Sequence, residues 1–125
     1  MKKKYGLTYT EMEIMEFLWS QENEVSFKEI LIYANEKLHK DWKRQTLSTY
    51  LKNLQMEGLV KAIDNKKNYS YYAACTKEEH IHKWTKELVE VCYDNSLVYL
   101  VKAYIGDGQL SEQEKKELKE FFINL

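Results

Sequence analysis

The sequence predicts a mostly α-helical chain with one small β-hairpin, and three observations carry that expectation. Between Lys43 and Lys67, Leu47, Leu51 and Leu54 fall at i, i+4 and i+7, a single apolar stripe that describes the buried face of a helix. Gly58 then stands where such a helix needs a left-handed stop. Two β-prone runs follow, Val60-Lys61-Ala62-Ile63 and Tyr69-Ser70-Tyr71-Tyr72-Ala73, around a polar turn at Asp64-Asn65-Lys66-Lys67. A helix, a glycine stop and a basic hairpin are the parts of a winged helix-turn-helix, and the residues before them supply the two helices that complete it. The expected organisation is a winged-helix domain over residues 1–75 and a helical segment over residues 76–125.

The first helix starts at Leu7-Thr8-Tyr9-Thr10-Glu11-Met12-Glu13, where Thr8 with Glu11, or Thr10 with Glu13, can satisfy the orphan amides of a helix N-terminus. Met12, Met15 and Trp19 share a stripe with Leu18 beside it, which reads as core. Ser20 to Glu24 is polar and ends that helix, and Val25 can add a short strand. Ser26 with Glu29 opens the second helix, whose buried side is Phe27, Ile30, Leu31, Ala34 and Leu38. His39-Lys40-Asp41-Trp42 connects to the central helix, Arg44 to Glu57, with Trp42 as a partly buried wedge at the turn.

Thr76 with Glu79 starts the C-terminal segment. Ile81, Trp84, Leu88, Val91 and Cys92 line one side of its first helix, and Leu97, Val98, Leu100, Val101, Tyr104 and Ile105 make a denser apolar second one. Gly106-Asp107-Gly108 breaks it, Ser111 with Glu114 restarts the chain, and Leu118, Phe121, Phe122 and Leu125 carry the last apolar face. Three helices in about 50 residues bury too little surface to be stable alone. The expected remedy is a two-fold dimer built on Trp84, Leu88, Val91, Leu97, Val98, Val101, Tyr104, Leu118, Phe121 and Phe122.

At 44% apolar and 31% charged residues the composition is that of a folded chain. No apolar run is long enough for a bilayer, and the basic start Met1-Lys2-Lys3-Lys4-Tyr5 has no apolar segment behind it, so a cytoplasmic location is expected. Cys75 and Cys92 stand far apart without metal spacing and read as reduced thiols.

The net charge is only −1, but its distribution matters more than its sum. From His39 to Tyr69, seven cations meet three anions; from Thr76 to Leu125, seven cations meet ten anions. Positive charge concentrated on one helix and one hairpin is the footprint of a protein for a polyanion. Gln45, Ser48, Thr49 and Lys52 form the second stripe of the central helix, with short polar groups suited to base edges in a major groove. Lys43, Arg44 and Thr46 at its start, and Lys66 and Lys67 in the wing, complete the expected DNA-binding set. Nothing points to an enzyme. His80 and His82, at i and i+2, diverge on a helix, His39 stands alone, and with four glycines the chain has no phosphate loop. No metal and no cofactor are expected.

Taken together, LTYTEMEIMEFLW at 7–19, KDW at 40–42, TLSTYLKNLQMEGLV at 46–60, YSYY at 69–72, NSLVYLV at 95–101 and LSEQEKKELKEF at 110–121 resemble the penicillinase-repressor (BlaI/MecI/CopY) family across nearly the whole chain. The resemblance implies a cytoplasmic repressor that occupies a palindromic operator as a homodimer. Its reading residues fall on Gln45, Thr46, Ser48 and Thr49, and its wing on Lys66 and Lys67. Family members commonly carry a basic residue where Gln45 and Ser48 stand, so the half-sites typical of the family do not transfer directly. The antibiotic-responsive branch also implies a regulatory protease as partner. It is cleaved near an Asn-Phe pair in the fifth helix, and the matching bond here is Leu100-Val101. The copper-responsive branch carries C-terminal cysteine pairs, and no cysteine follows Cys92.

Two other readings stay open on sequence. One is a winged-helix module that docks a protein, whose sign would be an apolar patch on the central helix. The other is an effector-sensing regulator with a pocket among Trp84, Tyr99, Tyr104 and Phe121.

Overall fold

A computed structural model describes residues 3–125; Met1 and Lys2 of the basic start lie outside the described residues. The elements run β1 (Lys3–Lys4), β2 (Leu7–Thr8), α1 (Tyr9–Trp19), β3 (Val25–Ser26), α2 (Phe27–Glu36), α3 (Arg44–Met56), β4 (Val60–Asp64), β5 (Tyr69–Ala73), α4 (Lys77–Cys92), α5 (Leu97–Ile105) and α6 (Glu112–Ile123). This is the mostly α winged helix-turn-helix that the sequence predicts. The chain forms two compact units, residues 1–84 and 85–125, which divide inside α4.

In the first unit, β3, β5 and β4 form an antiparallel sheet in that order, with Val25 opposite Tyr71 and Ala62 opposite Tyr71 on its other side. Leu47, Leu51 and Leu54 of α3 are fully buried against Met12, Ile14, Met15 and Leu18 of α1 and Ile30 of α2. Ile14, absent from the expected stripe, is buried with the rest. The first helix chooses Thr8 as its cap, with the reciprocal Glu11 bond, and α2 takes Ser26 with Glu29. Gly58 (φ 79°) ends α3, and the Leu59 amide donates back to the Leu54 carbonyl at 2.9 Å, closing a Schellman turn.

One element has no counterpart in the sequence reading. Strands β1 and β2 form a two-residue hairpin whose turn is Tyr5 (φ 53°) and Gly6 (φ 80°), and it drives Leu7 into the core. Both turn residues are left-handed, the backbone that a tight hairpin with native twist requires.

In the second unit, α5 begins at a Ser96 cap and ends at Gly106, and α6 begins at a Ser111 cap. Neither helix has a buried residue.

Candidate nucleic-acid interface

The turn between α2 and α3 is fixed by side-chain contacts that bracket it on both sides. The Asn35 amide donates to the Trp42 carbonyl at 3.0 Å, and the Trp42 amide donates to Asn35 Oδ1 at 2.7 Å. The Trp42 ring stacks on Tyr50 of α3, 5.0 Å between centroids. His39 (φ 56°) and Asp41 (φ 58°) sit in left-handed conformations between these anchors. A connection held this way sets the direction in which α3 leaves α2.

With Leu47, Leu51 and Leu54 buried, the opposite side of α3 faces outward. Lys43, Arg44, Gln45, Thr46, Ser48, Thr49 and Lys52 are all exposed. The Thr49 hydroxyl donates to the Gln45 carbonyl at 3.0 Å, so its proton is committed to the helix and its oxygen can only accept from a further partner. Among the described residues, α3 differs from the other helices at its start. Its cap position is Lys43, with no side-chain hydrogen bond to the first turn and no acidic residue in that turn. Helices α1, α2, α5 and α6 have Thr8, Ser26, Ser96 and Ser111 as caps, and Thr76 serves α4. Lysine is a poor cap, so the Arg44 and Gln45 amides and the positive end of the dipole have no side-chain partner, while the Thr46 amide donates to the Lys43 carbonyl at 3.1 Å.

The wing faces this helix start. Its turn spans residues 65–68, where the Asn65 amide donates to the Asn68 carbonyl at 2.9 Å and the Asn65 side chain reaches Asn68 and Ser70. Lys66 (φ 76°) holds the left-handed position, with its amide donating to Asp64 Oδ1 at 2.8 Å. Lys66 and Lys67 are both exposed. Between wing and helix runs an open groove of about 480 Å³ lined by Arg44, Gln45 and Ser48 on one side and Lys67, Asn68 and Tyr69 on the other, with Phe27 and Tyr71 beneath. The Arg44 guanidinium lies 4.7 Å from the Phe27 ring centroid, which holds this cation over an aromatic face at the groove wall. Asn68 and Tyr69 join the expected residues here; their only signal in the sequence was their place beside the wing lysines.

One other cation of the positive stretch is engaged elsewhere. Lys40 pairs with Glu13 at 2.8 Å.

The second expected set divides. Trp84 belongs to the first unit, where it packs edge-on against Tyr5 at 5.9 Å. Leu88 and Val101 are half-buried. The others face outward: Val91, Leu97 and Leu118 are exposed, with Val98 at 63%, Tyr104 at 77%, Phe121 at 52% and Phe122 at 50%. The Phe121 and Phe122 rings stack at 5.7 Å. For the aromatic effector pocket, Trp84 lies against the hairpin while Tyr99, Tyr104 and Phe121 are exposed. Among the described residues, no group of three or more His, Cys, Asp or Glu is placed to hold a metal, and no helix is long and apolar enough to cross a membrane.

The penicillinase repressor family model matches residues 7–123. Methicillin resistance regulatory protein MecI of Staphylococcus aureus strain N315 is 23% identical over 117 residues, covering 94% of this chain and 93% of that protein. The protein of the same description from Mammaliicoccus sciuri is 22% identical over the same shares. A crystal structure of a MepR mutant from a multidrug-resistant S. aureus clinical isolate superposes with a TM-score of 0.47 at 16% identity, covering 96% of this chain and 77% of that one.

Proposed function

The chain belongs to the penicillinase repressor family, a family of transcriptional regulators and not of enzymes, and from that premise we propose that it represses transcription by occupying a palindromic DNA operator as a homodimer. The observation that carries this reading is the groove between the start of α3 and the wing, where Arg44 and Lys67 face each other beside exposed Gln45 and Ser48. Each protomer lays α3 in a major groove. Gln45, Thr46, Ser48 and Thr49 meet base edges, while Lys43, Arg44, Lys52, Lys66, Lys67 and the uncapped amides of α3 hold phosphates.

DNA contacts lie within residues 1–75, and pairing within residues 76–125. Leu88, Val91, Leu97, Val98, Val101, Tyr104, Leu118, Phe121 and Phe122 form the pairing surface. What supports this is that all of them but the half-buried Leu88 and Val101 are exposed in a single chain, because apolar surface of this extent left in water marks an interaction face. A closed two-fold pair covers it with the same patch of a second copy. The dimer then presents two α3 helices at a spacing of about one duplex turn or a multiple of it.

The test is selection of duplexes from a random pool near physiological salt, with mass in solution recorded alongside. A two-fold symmetric enriched site bound by a dimer supports the reading. Salt-labile, unspecific binding from a folded protein overturns it in favour of a module that docks a protein.

A further inference from the structure

Three side chains on one face of α4, Lys77, His80 and Trp84 at i, i+3 and i+7, all meet the winged-helix unit. Lys77 Nζ pairs with Glu16 of α1 at 2.6 Å. His80 Nε2 lies 2.9 Å from the Tyr5 carbonyl oxygen, and because a carbonyl only accepts, that nitrogen carries the proton. Trp84 packs edge-on against Tyr5, and its indole lies so close to Gly6 that a Cβ there would sit 2.9 Å from Nε1. Just before α4, Trp19 Nε1 donates to the Cys75 carbonyl at 2.9 Å. The Tyr5-Gly6 turn is therefore more than a way to place Leu7. It closes a clasp on the first two turns of α4, a helix that continues for two more turns beyond Trp84.

Anchoring of this kind exceeds what a linker needs. Within the first unit, these contacts hold the first two turns of α4 against α1 and the N-terminal hairpin. We propose that the clasp, centred on Gly6 and Trp84, determines which half-site spacing the dimer accepts. The proposal rests on the dimeric DNA-binding reading. Each extra base pair turns one half-site against the other by about 34° and shifts it by about 3.4 Å. Only a protein whose reading heads are held in direction discriminates against such an offset.

The experiment measures binding to the selected operator and to versions with one base pair added to or removed from the spacer. Wild type is expected to lose about tenfold per offset, a typical cost for one defect in a site. Gly6→Ala forces Trp84 away and adds strain at a φ of 80°, and Trp84→Leu removes the edge contact. Both are expected to reduce the discrimination to about threefold or less, while single-position base preference and salt slope stay as in wild type. Trp84→Phe keeps an aromatic edge and is expected to restore most of it. If either substitution abolishes cooperative melting, Tyr5→Leu at the half-buried hairpin turn takes its place.

Unchanged discrimination in folded variants overturns the proposal, and so does an equal loss on all spacers, which is what a purely stabilising clasp produces. Paired half-sites with clasp-independent spacing sink this inference alone. A wild-type protein that selects no paired half-sites sinks the dimeric reading with it.

Discussion

Replacing both wing lysines, Lys66→Ala with Lys67→Ala, isolates the electrostatic part of the proposed binding. The perturbation is local. Lys66 sits at φ 76°, and alanine carries the same left-handed penalty as lysine, so backbone strain is unchanged. The bond from the residue 66 amide to Asp64 Oδ1 and the Asn65 contacts to Asn68 and Ser70 do not involve either lysine side chain. Stability is therefore expected to stay within about 0.5 kcal/mol of wild type. In a dimer the change removes four cations. Each phosphate contact contributes about 0.9 to the slope of log affinity against log salt, so the slope becomes shallower by about 3.6. Between about 50 and 200 mM salt, that difference shrinks the wild-type advantage by about 150-fold. Fluorescence anisotropy with a labelled selected duplex, titrated at several salt concentrations, reads both quantities. Parallel salt plots for variant and wild type would refute the reasoning, because the wing lysines would then not be at the phosphates.

Gln45→Ala and Ser48→Ala are expected to change base preference, at about 1 to 3 kcal/mol for the affected base pair, with the salt slope kept; a competition assay over single-base operator variants checks this, and an equal loss on all sequences would mean that α3 is not the reading element. Asn35→Ala leaves the Trp42 amide and carbonyl without their partner and should cost about 1 to 3 kcal/mol in urea unfolding, with Asn35→Asp costing less because it retains the acceptor for the Trp42 amide. Val98→Glu combined with Phe121→Glu places charge on the exposed apolar surface and should give a monomer by light scattering, with operator affinity lost and the winged helix still folded. Burial, and after it the nearby Glu79, pushes the Cys75 thiol above the ordinary thiol range, so less of it is thiolate at neutral pH. Cys92, which is exposed, should be alkylated first, and Cys75 should follow only as the pH rises past that range, as mass spectrometry of a labelling time course would show.

What was legible in the sequence was what depends on local periodicity and local chemistry. The α3 stripe, the Gly58 stop, the short strand at Val25 and the Ser26 cap all follow from residues within a few positions of one another, and the structure has each of them. The wing turn lies one residue later than read, at residues 65–68, because Asp64 completes β4 opposite Tyr69. The N-terminal hairpin was not legible, since strands of two residues have no periodicity to detect and Tyr-Gly alone is a weak turn signal. The Asn35 clamp and the place of Trp84 were hidden for another reason. Asn35 reads as an ordinary helix residue and Trp84 as one more apolar position on α4; only their partners, Trp42 in one case and Tyr5 and Gly6 in the other, give them roles.

The same limit applies to the reading face, where the side-chain inventory alone overstates what α3 can offer. A threonine hydroxyl can donate and accept, yet that of Thr49 is already given to the Gln45 carbonyl, so in the proposed complex it can only accept from a base edge or meet one through its methyl group. That leaves Gln45, Thr46 and Ser48 as the groups able to satisfy both kinds of partner, and the glutamine amide matches the paired donor and acceptor of adenine in the major groove. Arg44, which could otherwise compete for guanine, is drawn toward the Phe27 ring and the wing groove. On the proposed reading, the expected half-site has an adenine opposite Gln45 and tolerance at the position Thr49 reaches, where a thymine methyl and a cytosine amino group are both acceptable. An enriched site with guanine fixed opposite Gln45 would place Arg44, and not Gln45, at the bases and would move the wing groove from phosphate contact to base reading.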